Sequence, residues 1–331
     1  MAKNFFRSII QCASYSFLGE FKMGNRLKAG KYFLPDFFYK THHPPKIFYQ
    51  FLPFLPIRIR EKINEAVHLL TYYFRPLPDF VIVGAQRSGT TSLYNYLIDH
   101  PLILPADNKE IHYFDIHYPK GIKWYRSNFP SLLYRNFLKI LFRHRNLTME
   151  ASPYYIFHPV AIRRMYQLIP HAKIILILRN PIDRAYSHYQ RERRRGYEHL
   201  SFEEALDREE ERLEGEEDKI REIWGYESYN HKRFAYVSRG VYIKQVKRLL
   251  KYYPRDQVLI LIHENFYNDP QKNILKVCDF LNLPYYKLKF TKKYLNQSYS
   301  KMDKNIKERL EDFYEPFNKE LSDYLGIELN W

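Results

Sequence analysis

Residues Asp79 to Leu93 read DFVIVGAQRSGTTSL: an apolar run, a tight glycine loop and the start of a helix. This arrangement constrains the fold more than any other part of the chain. Phe80–Val83 has the character of a fully buried strand. Gly84 and Gly89 let the backbone turn sharply, so that several N–H groups converge on one anion. Thr90, Thr91 and Ser92 then open a helix whose N-terminal dipole favours negative charge. The spacing is close to that of a nucleoside-triphosphate P-loop, but Thr90 stands where the usual Lys would precede the hydroxyl residue. The loop's cation is Arg87, placed earlier. The motif points to phosphate and argues against ATP hydrolysis.

A second segment narrows the choice of phosphate. Lys173–Arg179 is another buried-strand run, and Asn180-Pro181-Ile182-Asp183 follows it. A triphosphatase strand at this place ends in an Asp that holds Mg²⁺, whereas this one ends in Arg179. Pro181 suits the first turn of a helix, and Ser187 falls on its second turn. A guanidinium and a hydroxyl at one crevice make a phosphate clamp that needs no metal. Two phosphate sites of this kind suit a nucleotide with phosphates at both ends of its ribose. Apolar runs at Phe80–Val83, Lys173–Leu178 and Gln257–Ile262 alternate with helical patterns. That alternation predicts an α/β fold, a largely parallel sheet flanked by helices, with ligands at the carboxyl ends of the strands.

The loop GAQRSGTTSL, the segment ILRNPIDRAYSHYQ and the intervening NKEIHYFD together resemble the sulfotransferase family, and its carbohydrate branch with the heparan sulfate enzymes most closely. SRGVYIKQVKRLLKYYPRDQVLILIHENF extends the resemblance toward the C-terminus. It implies a single P-loop-like sulfotransferase domain over residues 79–331, preceded by an N-terminal extension over 1–78. It also implies 3′-phosphoadenosine 5′-phosphosulfate (PAPS) as donor, adenosine 3′,5′-bisphosphate (PAP) as product, no metal, and in-line transfer to a hydroxyl or amine of a carbohydrate or glycolipid acceptor. On this likeness, Arg87, Ser88, Gly89, Thr90, Thr91 and Ser92 hold the 5′-phosphosulfate, and Arg179 and Ser187 the 3′-phosphate. Glu110 matches the family's catalytic base, with His112 a second candidate and Arg87 a stabiliser of the leaving oxygen. Arg239 and Gly240 are expected near the nucleotide. Asn296–Lys301 replaces the family's C-terminal phosphate loop, with Lys301 as its cation. The alternative is a non-catalytic nucleotide or anionic-glycan binder on the same fold, which would have no need of a carboxylate at Glu110.

The net charge of +16 suits an anionic donor and an anionic acceptor, and no nucleic-acid motif accompanies it. Arg191-Glu192-Arg193-Arg194-Arg195 is a candidate acceptor-cleft lining, or else a solvated helical surface with internal ion pairs. The acidic stretch 203–222 reads as a solvated helical surface with internal ion pairs, or else as a mobile acceptor-recognition insert. Residues 1–78 are basic, aromatic and proline-rich. Phe48–Ile57 is too short and proline-broken to span a bilayer, and Met1–Leu18 lacks a secretory signal. Cys12 and Cys278 suggest no disulfide framework. These features together predict a cytoplasmic protein, with peripheral membrane contact through the leader as a further expectation.

Overall fold

The structure is a computed structural model that describes residues 56–285 and 301–331. These residues belong to the compact unit spanning Phe37–Trp331. Five strands form one parallel sheet: β1 (Phe80–Gly84), β2 (Ile103–Pro105), β3 (Leu147–Ala151), β4 (Lys173–Leu178) and β5 (Val258–Ile262). Their order is β2-β3-β1-β4-β5, with Phe80 beside both Met149 and Lys173, and Leu178 beside Ile262. From β1 the chain builds one side of the sheet and then crosses to the other. The crevice between β1 and β4 is therefore the switch point where such sheets bind ligands.

Both faces of the sheet are covered, which is why its central strands are apolar without interruption. Val81 and Val83 of β1, with Ile174, Leu176 and Leu178 of β4, enter one core. Phe80, Ile82, Ile175 and Ile177 enter the other, on the opposite face. The helices that matter here are α1 (Ile57–Leu70), α2 (Thr90–Ile98), α3 (Leu132–Phe142), α4 (Pro181–Arg194), α5 (Tyr242–Tyr252) and α6 (Lys304–Leu325). α4 begins as its sequence requires: Asn180 Oδ1 accepts from the N–H groups of Ile182 and Asp183, and Pro181 fills the first position. α1 lies before the expected domain start at residue 79, yet it packs on the helix Gly121–Ser127. His68 fixes that contact, 2.7 Å from Asp107 and 3.1 Å from the Ser127 carbonyl.

The acidic stretch folds as three short helices, Phe202–Asp207, Glu209–Leu213 and Glu216–Glu222. Part of it is a solvated face with local pairs, as in Glu217 with Arg221 at 2.6 Å. Glu209 is different. It is buried and accepts hydrogen bonds from the N–H groups of Tyr236, Val237 and Ser238 at 2.8, 2.6 and 2.8 Å. This carboxylate thus fixes the loop leading into α5, a framework role rather than that of a mobile insert. The basic run after the clamp is also partly structural: buried Glu192 pairs with Arg191 and with Arg233, the latter at 3.0 Å.

Candidate active site

The loop after β1 closes tightly because of its glycines. Gly89 has φ +94°, and a Cβ there would lie 2.8 Å from His263 Nδ1. His263, at the end of β5, bonds the Ser88 carbonyl at 3.0 Å. Ser88 and Thr90 are buried, Ser92 is half-buried and Thr91 is exposed. Arg87, itself at φ +70°, turns its guanidinium toward α4. Its Nε and Nη2 donate to Ser187 Oγ at 3.1 and 2.9 Å. Arg179 Nη1 donates to the Arg87 carbonyl at 3.2 Å, and its other nitrogen is 4.0 Å from Asp183. The two expected phosphate contacts, about a hundred residues apart in sequence, therefore meet in the β1–β4 crevice. The crowded glycine turn, two guanidinium groups and a buried hydroxyl form a donor set suited to phosphate.

Arg239 and Gly240 occupy different positions. Arg239 is buried behind the loop, where it bonds Gln86 and the carbonyls of His231 and Lys232, the last two at 2.8 and 3.0 Å. Its guanidinium lies over the Phe157 ring at 4.7 Å. Gly240 is crowded by Tyr314 of α6, whose hydroxyl would be 2.5 Å from an added Cβ. Lys301 is exposed; Asn296–Ser300 lie outside the described residues.

Glu110 and His112 sit beyond the end of β2, beside the loop. The sequence suggested that an extended backbone would place them on one side. Instead both have positive φ, +64° and +55°. Pairing with β3 holds this irregular backbone in place: Glu110 N–H donates to the Ala151 carbonyl at 3.0 Å, and His112 N–H to Ser152 Oγ at 3.1 Å. Ser152 Oγ in turn donates to Glu150, a fully buried carboxylate that also accepts from the hydroxyls of Tyr125 and Tyr155. Burial pushes the Glu150 carboxyl up to about 7, against the pull of these three donors.

The side chains form a chain of charges. His112 Nδ1 donates to the buried Asp115 carboxylate at 2.7 Å, and His112 Nε2 is 3.6 Å from Glu110 Oε2. Lys109 Nζ donates to Glu110 Oε1 at 3.0 Å and to Thr91 Oγ1 at 2.6 Å. Burial opposes charge on Glu110, but His112 and Lys109 outweigh it and bring the carboxyl down to about 2. Burial likewise opposes charge on His112, but Asp115 and Glu110 prevail and raise it to about 10. At neutral pH the pair is carboxylate and imidazolium.

Sequence reasoning gave no role to Lys109, Asp115, His263 or Gln86. Lys109 and Asp115 stood within the quoted NKEIHYFD segment, but one sequence does not say which neighbours of a candidate base touch it. Trp331 is another such residue: its Nε1 donates to Glu264 at 3.3 Å, and Glu264 accepts from Asn180 N–H at 2.9 Å. The C-terminal residue thus reinforces the start of the clamp helix.

Residues 77–322 match the model of a sulfotransferase domain. The chain is similar to the mouse protein named heparan sulfate glucosamine 3-O-sulfotransferase 5, with 28% identity over 300 residues covering 81% of this chain and 78% of the relative. It is also similar to the membrane-associated sulfotransferase kil1 of Dictyostelium discoideum, with 24% identity over 77% of this chain and 66% of that protein. A solved sulfotransferase structure from Alicyclobacillus acidocaldarius has a TM-score of 0.58 and 30% identity, covering 77% of this chain and 98% of that one. These likenesses correct the expectation of a cytoplasmic protein, since one relative is membrane-associated by name. The expectation rested on the lack of a spanning segment, of a secretory signal and of a disulfide framework. Among the described residues no helix is long and apolar enough to cross a membrane, but a protein can be held at a bilayer surface without one.

Proposed function

Because this chain belongs to the sulfotransferase family, we propose that it transfers the sulfuryl group of PAPS to a carbohydrate hydroxyl or amine by in-line displacement. When bound, PAPS supplies the activated sulfuryl group, and PAP is the group that leaves. The observation that carries this reading is the meeting of Arg87, Arg179 and Ser187 in one crevice. Arg179 and Ser187 are assigned to the 3′-phosphate, and Arg87 with the backbone and hydroxyls of Ser88–Ser92 to the 5′-phosphosulfate. Arg87 cannot donate its proton near neutral pH, so its contribution is fixed positive charge and geometry. Arg239 acts on the loop through Gln86, and Gly240 allows the close approach of α6 behind it. Lys301 is the candidate cation of the C-terminal segment.

Glu110 is assigned as the base that takes the acceptor's proton. A carboxylate held near 2 is ionised but a weak base while Lys109 and His112 lie against it. Lys109 is shared between Glu110 and Thr91, so a shift of its ammonium toward the loop would strengthen the base where negative charge gathers. His112, held as imidazolium by Asp115, cannot accept a proton in this state; its role is to orient Glu110. The carbohydrate acceptor follows from the relatives' named substrate, a glucosamine of heparan sulfate in the mouse protein.

Calorimetric titration with PAP, with ATP and ADP plus Mg²⁺ as controls, tests the donor site. Metal-independent micromolar binding of PAP alone is expected, followed by transfer of labelled sulfate to glycan acceptors. Preference for ATP with Mg²⁺ would overturn the assignment.

A further inference from the structure

Among the described residues, two neighbouring segments each expose several large apolar side chains. In α3, Leu133, Phe137 and Ile140 are 77%, 60% and 78% exposed, and Leu132 and Leu141 are exposed as well. Positions 133, 137, 140 and 141 recur at helical spacing and so share one face. The second segment runs from the end of α1 toward β1, where Leu70 is 83% exposed and Tyr73 and Phe74 are also exposed.

The topology places both segments at the same end of the sheet. α1 leads toward β1 and α3 toward β3, and these strands are adjacent and parallel. Both segments therefore flank the amino-terminal edge. Asp79, just before β1, pairs with Arg135 of α3 at 3.0 Å and with Arg145 at 2.9 Å. Arg126 donates to the Tyr73 carbonyl at 2.9 Å, and Arg75 to the Phe129 carbonyl at 2.5 Å. The phosphate crevice lies at the opposite, carboxyl-terminal edge.

Charge distinguishes the possible occupants of this surface. Residues 116–149 contain no Asp or Glu, but carry Lys120, Lys123, Arg126, Arg135, Lys139, Arg143 and Arg145. Lys139, Arg143 and Arg145 are exposed on or just beyond α3. A second copy of the same face would bring like charges together. An anionic bilayer would accept the apolar side chains at the headgroup boundary and pair the cations with lipid phosphates.

We propose that the face formed by α3 and residues 70–74 docks on the surface of an anionic lipid bilayer. The long Lys and Arg side chains reach the phosphates while Leu133, Phe137 and Ile140 enter the interface. The donor crevice then opens away from the lipid, toward acceptors in the aqueous phase. Of the leader in which the sequence suggested membrane contact, Leu70, Tyr73 and Phe74 lie among the described residues and belong to this face.

The full-length protein is tested by flotation with vesicles of phosphatidylcholine alone, or with roughly one third phosphatidylglycerol. It should float with the anionic vesicles and not with the neutral ones, and raised salt should weaken recovery. The triple variant Leu133→Glu, Phe137→Glu, Ile140→Glu should lose about ten-fold or more in recovery. Its helical circular dichroism and PAP titration should stay unchanged, which separates loss of docking from misfolding and from failure of the donor-site reading. The variant Lys139→Glu, Arg143→Glu should lose the preference for anionic vesicles. No recovery of the wild-type protein would overturn the proposal. Equal recovery of the triple variant would do so too, by placing the contact in residues 1–55. So would sedimentation showing a wild-type dimer that the triple variant dissolves without lipid.

Discussion

Glu110 is at once the candidate base and the residue least suited to that work in its resting surroundings. Its carboxylate sits between the Lys109 ammonium and the His112 imidazolium, and both stabilise its charge. Glu110→Gln keeps the shape but cannot take a proton; turnover should fall roughly 10²-fold or more while PAP affinity stays within error. Equal loss in both would move Glu110 from chemistry to donor binding. His112→Asn removes a cation that lowers the Glu110 carboxyl to about 2, so that group should rise toward its ordinary range. The acid limb of kcat/KM should then move to higher pH in the variant, while the wild-type enzyme keeps its base ionised well below pH 4. On the alkaline side the wild-type profile should bend near 10, where His112 gives up its proton. The folded value of His112 lies above its unfolded one, so its stabilisation is complete below about 6.5 and lost as pH rises through about 10. An unmoved acid limb in His112→Asn would show that His112 does not act on Glu110.

Elements in this protein meet their ends at special points, and the chemistry depends on those ends. Gly89 both caps α2 in the left-handed region and makes room for His263. Gly89→Ala should cost about 1–2 kcal/mol from backbone strain alone, and PAP affinity should fall further as the loop opens around His263. Normal affinity in a protein of normal urea stability would remove the close approach from the argument. Glu209 shows how the acidic segment serves the fold. Glu209→Ala leaves three N–H groups of the 236–238 loop without their acceptor. The expected loss is about 3 kcal/mol in urea unfolding, with α5 and the Arg239 strut loosened as a consequence. A loss within about 0.5 kcal/mol, the range of ordinary surface changes, would mean that water replaces the carboxylate.

For the whole molecule, the proposed donor site is built from distant segments, so a ligand bound there is thermodynamically linked to the fold. PAP at about a hundred times its Kd should stabilise the protein by about 2.7 kcal/mol, seen as a rise in Tm. ATP with Mg²⁺ should give no comparable rise. Arg179→Ala should reduce PAP affinity by about 2 kcal/mol, the scale of a hydrogen bond to a charged group, and the Tm increment should shrink with it. An unchanged increment would exclude Arg179 from the clamp.

Local pattern determined much of this protein. The unbroken apolar runs required strands covered on both faces, the glycine loop required a tight turn into a helix, and Asn180-Pro181 required a helix start. Each depends on residues adjacent in the chain, so each could be read directly. Contacts made across the chain could not. Arg87 reaches Ser187 only because β1 and β4 are neighbours. Lys109 gains its role by lying between Thr91 and Glu110, Arg239 turns inward to Gln86, and Glu209 is buried among backbone N–H groups rather than solvated. The apolar face of α3 looked in sequence like any amphipathic helix packing on a core. Only the fold shows that this face is left exposed among the described residues, because covering depends on which surfaces the chain brings together and not on the helix itself.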